Sequence, residues 1–133
     1  MKTPVTTDIT AVRNSVWVRW LPNALPAAGY ITFKNSAQRR YTITKVISPD
    51  YKSITAYKTV TDSESTRMEK VDFTTLTIPA EGELAMTPGF YHLMFEKPTR
   101  LITPGDNARV IYFLDDGKVF KVKMPVRTSP ELY

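Results

Sequence analysis

Apolar and polar residues alternate in short stretches along most of the chain, and turn-forming residues separate these stretches. In residues 120–126, for example, apolar side chains alternate with Lys121 and Lys123. Successive side chains of a β-strand point to opposite faces, so this pattern predicts a half-buried strand. No stretch shows a clean apolar repeat of 3.6 residues, which argues against helices. About eight to ten short strands are predicted: residues 9–20 as one or two, then 29–34, 41–47, 53–60, short pieces within 71–78, 83–86, 91–95, 109–114 and 118–126.

Proline and glycine divide these strands. The chain has ten prolines, which cannot donate to a strand ladder. Asp115-Asp116-Gly117 lies between the last two strands, and Asp-Gly is a strong hairpin signal because glycine accepts a positive φ. Residues 61–66 are polar and predict a turn. Many short strands at this spacing indicate an antiparallel sandwich or barrel.

The length of 133 residues predicts a single domain over residues 1–133. We expect its core to span about residues 8–127, with the ends up to Thr7 and from Thr128 onward loosely held. No apolar run approaches the roughly 18 residues that a membrane span needs. The start of the chain carries no apolar signal segment, so we expect a cytosolic protein or a mature secreted one.

Composition narrows the classes of function. The chain has no cysteine, which excludes disulfides, thiolate catalysis and cysteine-based zinc sites. A single histidine and scattered carboxylates form no recognisable nucleophile and base set, so we predict that the protein is not an enzyme. The net charge is +5. Trp17 and Trp20 would face opposite ways in a strand and share no stacking platform, which argues against nucleic-acid binding.

The only histidine lies in the strand predicted for residues 91–95. Alternation places Tyr91, Leu93 and Phe95 on the core face, and it places His92 and Met94 together on the other, polar face. A neutral imidazole and a thioether suit soft, monovalent copper. One histidine near one methionine also occurs by coincidence, so the pair alone leaves both interpretations open. Met86 and Met124 lie at core positions of their own strands.

The ordered motifs along the chain resemble those of the periplasmic copper(I) chaperones of the PCuAC type. The most specific block is residues 78–80 followed by residues 88–94, Pro-Gly-Phe-Tyr-His-Leu-Met. The other matching segments are residues 16–19, 28–35, 48–49, 105–106 and 122–126. The resemblance implies an all-β fold, a cupredoxin-like Greek-key β-sandwich.

The resemblance also implies a copper(I) site. His92 and Met94 match the family's His-x-Met pair, and Met68 matches its earlier methionine. The family's first histidine falls at position 57, where this chain has Tyr57. A neutral phenol is a hard, poor ligand for Cu(I). Three possibilities follow: a three-ligand site of Met68, His92 and Met94, a weakened site completed by a partner or a small molecule, or the loss of copper binding.

Function follows the same resemblance. It implies a periplasmic, monomeric metallochaperone that carries Cu(I) to a copper-accepting protein, such as a cytochrome c oxidase subunit or another copper chaperone. The alternative is a copper-chaperone-like fold that has lost or weakened its metal site and acts as a structural or protein-interaction module.

Overall fold

The structure is all β, as the alternating pattern predicts. It is a computed structural model that describes residues 3–129, and within them it contains eleven strands and one 3-10 turn at Phe73–Thr75. The strands are β1 (Ile9–Ala11), β2 (Trp17–Arg19), β3 (Ala27–Asn35), β4 (Tyr41–Ile47), β5 (Tyr51–Thr61), β6 (Thr66–Val71), β7 (Thr77–Ile78), β8 (Glu83–Met86), β9 (Tyr91–Pro98), β10 (Asn107–Leu114) and β11 (Val119–Arg127).

The strands form the two layers of a β-sandwich. One layer has the order β6-β5-β9-β3-β2, and the other has the order β11-β10-β4-β7. A parallel pairing of β2 with β11 joins the layers, while β1 and β8 pair with the far end of β3. Neighbouring strands are often distant in sequence, as in Greek-key connections.

The inner faces of both layers pack into one hydrophobic core. Leu93 and Phe95 of β9 are fully buried there, which confirms the core face predicted for that strand. Met86 and Met124 are also fully buried, as predicted. The β10–β11 hairpin turns at Gly117, whose φ is +84°, so glycine is needed at that position.

One local prediction was wrong. Strand β6 was missed because Thr66–Val71 is mostly polar and exposed, without an apolar alternation, and forms by pairing along β5. Before β1, the Thr6 N–H donates to the Val119 carbonyl at 2.8 Å, and the Thr6 side chain is buried, while residues 1 and 2 lie outside the described residues. At the other end, residues 130–133 lie outside the described residues.

Strand β9 is fixed against β3 by the contact between Phe95 and Gly29. Gly29 pairs with Leu93 on β9, and the Phe95 ring covers the space where a Cβ on residue 29 would stand. An added Cβ would lie 2.2 Å from the nearest ring carbon. This close approach therefore requires glycine on β3.

A second constraint is the buried carboxylate of Asp50, just before β5. It accepts hydrogen bonds from Arg109 Nη2 at 2.8 Å, from the Arg109 backbone N–H at 2.8 Å and from Arg100 Nε at 3.0 Å. Hydrogen bonds from the Arg109 guanidinium, followed by those from its backbone and from Arg100, hold the pKa of Asp50 well below its usual range, although burial acts in the opposite direction. The cluster ties β5 to β10 and to the segment after β9.

We predict that Gly29→Ala lowers the free energy of unfolding by about 2 kcal/mol, because the added methyl group overpacks the contact with Phe95. Urea unfolding of Gly29→Ala, Phe95→Leu and the double variant measures this effect. The cost of Gly29→Ala should fall clearly in the Phe95→Leu background, where the ring is absent. An equal cost in both backgrounds would show that the ring is not the cause.

We predict that Asp50→Asn lowers the free energy of unfolding at pH 7 by about 2 kcal/mol, because the buried carboxylate loses its charge-assisted hydrogen bonds with two exposed arginines. The pKa of Asp50 is lower in the folded chain than in the unfolded chain, so its contribution is complete above about pH 4 and is lost as the pH falls further. Urea unfolding between neutral and acidic pH should therefore give a smaller acid-induced loss in Asp50→Asn. The exposed Asp62 also has a lowered pKa, and Asp62→Asn is the control that should retain the wild-type slope more closely. Matching slopes for wild type and Asp50→Asn would contradict the assignment.

Candidate metal centre

The outer side of β9 carries the predicted ligand pair. His92 lies opposite Tyr57 of β5, and Met94 lies between Thr55 of β5 and Ala28 of β3. Because directly opposed residues of a sheet share one face, these side chains are on the same side, away from Leu93 and Phe95. Strand β9 therefore has Leu93 and Phe95 on its inner face and His92 and Met94 on its outer face, as predicted.

The environment of His92 differs from the prediction. The sequence placed it on a polar outer face, but its exposed fraction is only 4%. Residues before β3 and before β9 cover this side of the sheet, among them Leu21, Pro26 and Pro88. The histidine is thus a buried group on the outer side of a layer, and Met94 beside it is half-buried.

Met68 reaches the same side through the register of β5 and β6. It lies opposite Thr59, which is two residues from Tyr57 along β5 and so points to the same face. Met68 sits on the edge strand, and its exposed fraction is 59%. This exposure shows that Met68 does not fill space in the hydrophobic core.

The three predicted ligand residues line one cavity. Met68, His92 and Met94 all contribute to a hollow of about 300 Å³ on the outer side of the layer. The other lining residues come from β2, β3, β5 and the two covering segments: Arg19, Leu21, Pro26, Ala28, Tyr30, Thr59, Pro88 and Gly89. Strands β6 and β9 are not neighbours, so β5 between them sets the spacing of the hollow.

A row of aromatic rings crosses the sheet through His92. Trp17 and Tyr30 have ring centroids 5.1 Å apart, and Tyr30 lies 6.3 Å from the imidazole. On the other side, the Tyr57 ring is stacked on His92 at 5.9 Å, with 16° between the planes. The imidazole is therefore held between two tyrosine rings. Trp17 is buried on the outer side of β2.

Tyr57 therefore occupies a position beside the predicted metal ligand. It lies directly opposite His92 on the same face of the sheet, with its ring stacked on the imidazole, and within residues 3–129 it is not among the residues that line the hollow. Its contact with the imidazole is ring against ring. This placement fits a packing role better than the role of an oxygen ligand.

Burial keeps the imidazole neutral. Desolvation lowers the pKa of His92 below its usual value, while a hydrogen bond with the backbone of Phe90 acts in the opposite direction. Neutral imidazole is the form that binds a metal ion, and a hydrogen bond to its second nitrogen orients the ring. The donor set of the hollow thus consists of one neutral imidazole and two thioethers. Such soft, neutral donors favour Cu(I) over hard cations.

Several residues of the hollow were not predicted from the sequence. Arg19, Tyr30 and Thr59 reach it only because β2, β3 and β5 flank β9 in the folded sheet. Arg19 brings a positive charge to the rim, and it hydrogen-bonds the Tyr30 hydroxyl. In the described part of the chain there is no cluster of three or more histidine and carboxylate side chains that could hold a metal ion.

Comparison with known proteins identifies a matching protein family and a relative in sequence. The family described as "Putative lipoprotein LpqE-like" matches residues 10–126. The uncharacterized protein RP573 of Rickettsia prowazekii (strain Madrid E) is 28% identical over 100 residues, which are 74% of this chain. The chain spans 55% of that relative's length, about half.

Solved structures share the fold. The copper-bound PCuAC domain from PmoF2 matches with a TM-score of 0.71 at 18% identity, covering 97% of this chain and 100% of that domain. The structure of CuI-DR1885 from Deinococcus radiodurans, determined in solution, matches with a TM-score of 0.65 at 24% identity, covering 95% of this chain and 80% of the other. The predicted PCuAC-type, cupredoxin-like sandwich is thereby confirmed. Over the residues that the structure describes, no helix is long and apolar enough to cross a bilayer.

Proposed function

The chain belongs to the LpqE-like family, and we propose that it works there as a copper(I)-binding chaperone. The observation that carries the proposal is the convergence of two thioethers and one buried, neutral imidazole on a single hollow. The similarity in fold to the copper-bound PCuAC domain and to CuI-DR1885 supports it.

In this proposal His92, Met94 and Met68 bind the ion. His92 is the fixed ligand, because two tyrosine rings hold its imidazole. Met94 lies two residues along the same strand, so its direction is set by the core packing of Leu93 and Phe95. Neutral sulfur and nitrogen donors would match monovalent copper, which is the cargo and not a permanent cofactor.

Met68 would be the ligand that opens the site. It is the most exposed of the three and lies on an edge strand, so an acceptor protein could displace its sulfur first. His92 would release the ion last, since it is nearly inaccessible from solvent. A chaperone must surrender its cargo, and a shallow site with few ligands suits stepwise exchange.

The proposal extends to the setting of the protein. We infer a monomeric, non-enzymatic carrier in the periplasm that delivers copper to another copper protein, with the copper centre of cytochrome c oxidase as the acceptor that the PCuAC resemblance implies. Thioether ligands suit an oxidising compartment, because thiolates there would be converted to disulfides.

The role of Tyr57 distinguishes this function from the alternative one. Its stacking on His92 favours a three-ligand site in which the tyrosine supports the imidazole. The alternative is a module for structure or protein interaction whose metal site was lost when a tyrosine came to stand at this position. The two functions differ in whether the intact chain binds Cu(I).

We predict that the protein binds one Cu(I) and that His92→Ala, Met68→Leu and Met94→Leu each weaken binding at least tenfold, a loss of about 1.4 kcal/mol or more for one metal ligand. Competition with a Cu(I) chelator under anaerobic conditions measures the affinity. Met86→Leu is the matched control, because that methionine is fully buried in the core, and it should leave the affinity unchanged.

The outcome separates the two functions. If the wild-type chain fails to compete at any chelator strength, it is an interaction module instead. If Met86→Leu weakens binding as much as Met68→Leu, the effect comes from the fold and not from the hollow.

We also predict that Tyr57→His tightens Cu(I) binding, because an imidazole beside His92 would add a nitrogen donor to the three existing ligands. Tyr57→Phe is the control: it keeps the stacked ring and should bind like the wild type. The same competition titration compares the variants. An unchanged affinity in Tyr57→His, with the fold intact by circular dichroism, would mean that position 57 does not reach the ion.

A further inference from the structure

The outer side of β4, β10 and β11 carries a group of exposed cations, which we call the basic sheet face. Its cations are Lys45, Arg109, Lys121 and Lys123, all exposed. Arg109 lies directly opposite Lys123, and Lys121 lies opposite Ile111 on the same outer side. This face belongs to the layer away from the candidate metal centre, so the proposed function does not use it.

The charge of this face is unbalanced. The sequences of the three strands contain no aspartate or glutamate, although the chain has 13 acidic residues. Arg109 forms an ion pair with the buried carboxylate of Asp50. Within residues 3–129, the three lysines take part in no ion pair. The three lysines therefore leave a positive charge on this face that the described residues do not balance, and an external anion could balance it.

The cations flank an apolar centre. Ile47 and Ile111 are paired neighbours in the sheet, and Ile47 is exposed. The Lys45 ammonium lies 5.3 Å from the centre of the Phe113 ring, which is half-buried on the same side. A hollow of about 370 Å³ opens between Ile111, Arg109 and the stems of Lys121 and Lys123. Lysine and arginine stems cover apolar surface while their charged ends reach outward.

We propose that the basic sheet face docks onto an anionic phospholipid bilayer. A bilayer surface offers a dense layer of negative headgroups with an apolar region just beneath it, so it matches the flanking cations and the apolar centre at once. The face consists of regular, adjacent strands and presents a broad surface. Docking in this way leaves the metal hollow, on the outer side of the other layer, open to an acceptor protein.

The test is sedimentation with lipid vesicles. The full chain should bind vesicles of phosphatidylcholine mixed with phosphatidylglycerol, and it should bind pure phosphatidylcholine vesicles far more weakly. Binding should decrease as salt is raised, because the headgroup attraction is screened. Lys121→Gln/Lys123→Gln should reduce the partition coefficient about 30-fold, the effect expected for the loss of two lysine charges at an anionic surface.

A control variant separates this face from overall charge. Lys34→Gln/Lys58→Gln removes an equal number of positive charges, one from β3 and one from β5. This variant should change the partition coefficient less than threefold, because neither lysine lies on the basic sheet face. Equal losses in the two double variants would overturn the proposal, since net charge alone would then explain binding. Absence of binding to the anionic vesicles would also overturn it and would leave an acidic protein as the occupant. The Cu(I) affinity of the Lys121→Gln/Lys123→Gln variant should equal that of the wild type, so the two proposals fail separately.

Discussion

The contact between the Phe95 ring and the Gly29 backbone governs the position of the candidate site. It brings β9 against β3 at a distance that no other residue at position 29 permits. Leu93 and Phe95 are fully buried on the inner side, so the side chains of His92, just before Leu93, and of Met94, between the two, point to the outer side. The chemistry proposed for the outer side of β9 therefore depends on packing on its inner side. A change in the core near Phe95 would displace the imidazole without touching it.

The outer side of this layer is a second, smaller packed region. The row from Trp17 through Tyr30 and His92 to Tyr57 gives the imidazole two aromatic walls, and the segments around Leu21 and Pro88 cover it. Desolvation keeps the ring neutral, and stacking keeps it in place. Met68 lies in a different environment from His92, because it is exposed and belongs to an edge strand. The hollow thus combines a buried potential donor with an accessible one, an arrangement that the proposed exchange of cargo would use.

Much of the fold could be predicted from the alternation of residues, since β4 and β8 have the bounds expected from the sequence and the Asp-Gly turn forms the last hairpin. Strand β6 could not be predicted in this way, because an exposed edge strand needs no apolar face. The burial of His92 was also missed, since its cover comes from residues distant in sequence. The ion pairs of Asp50 join it to arginines 50 and 59 residues away, which local patterns do not reveal. The residues of the site were named from motifs, but their meeting in one hollow required the strand order.

The exposure of Met68 has a chemical consequence under oxidative stress. Met86 and Met124 are sealed in the core and Met94 is half-buried, whereas Met68 is exposed. Peroxides would convert it to the sulfoxide, which offers a hard oxygen in place of a soft sulfur. Because this side chain contributes nothing to the core, the sandwich would survive the change, and only the preference for a soft ion proposed for the hollow would be lost. A sulfoxide reductase could then restore it, so the edge strand would carry a reversible redox lesion and spare the fold.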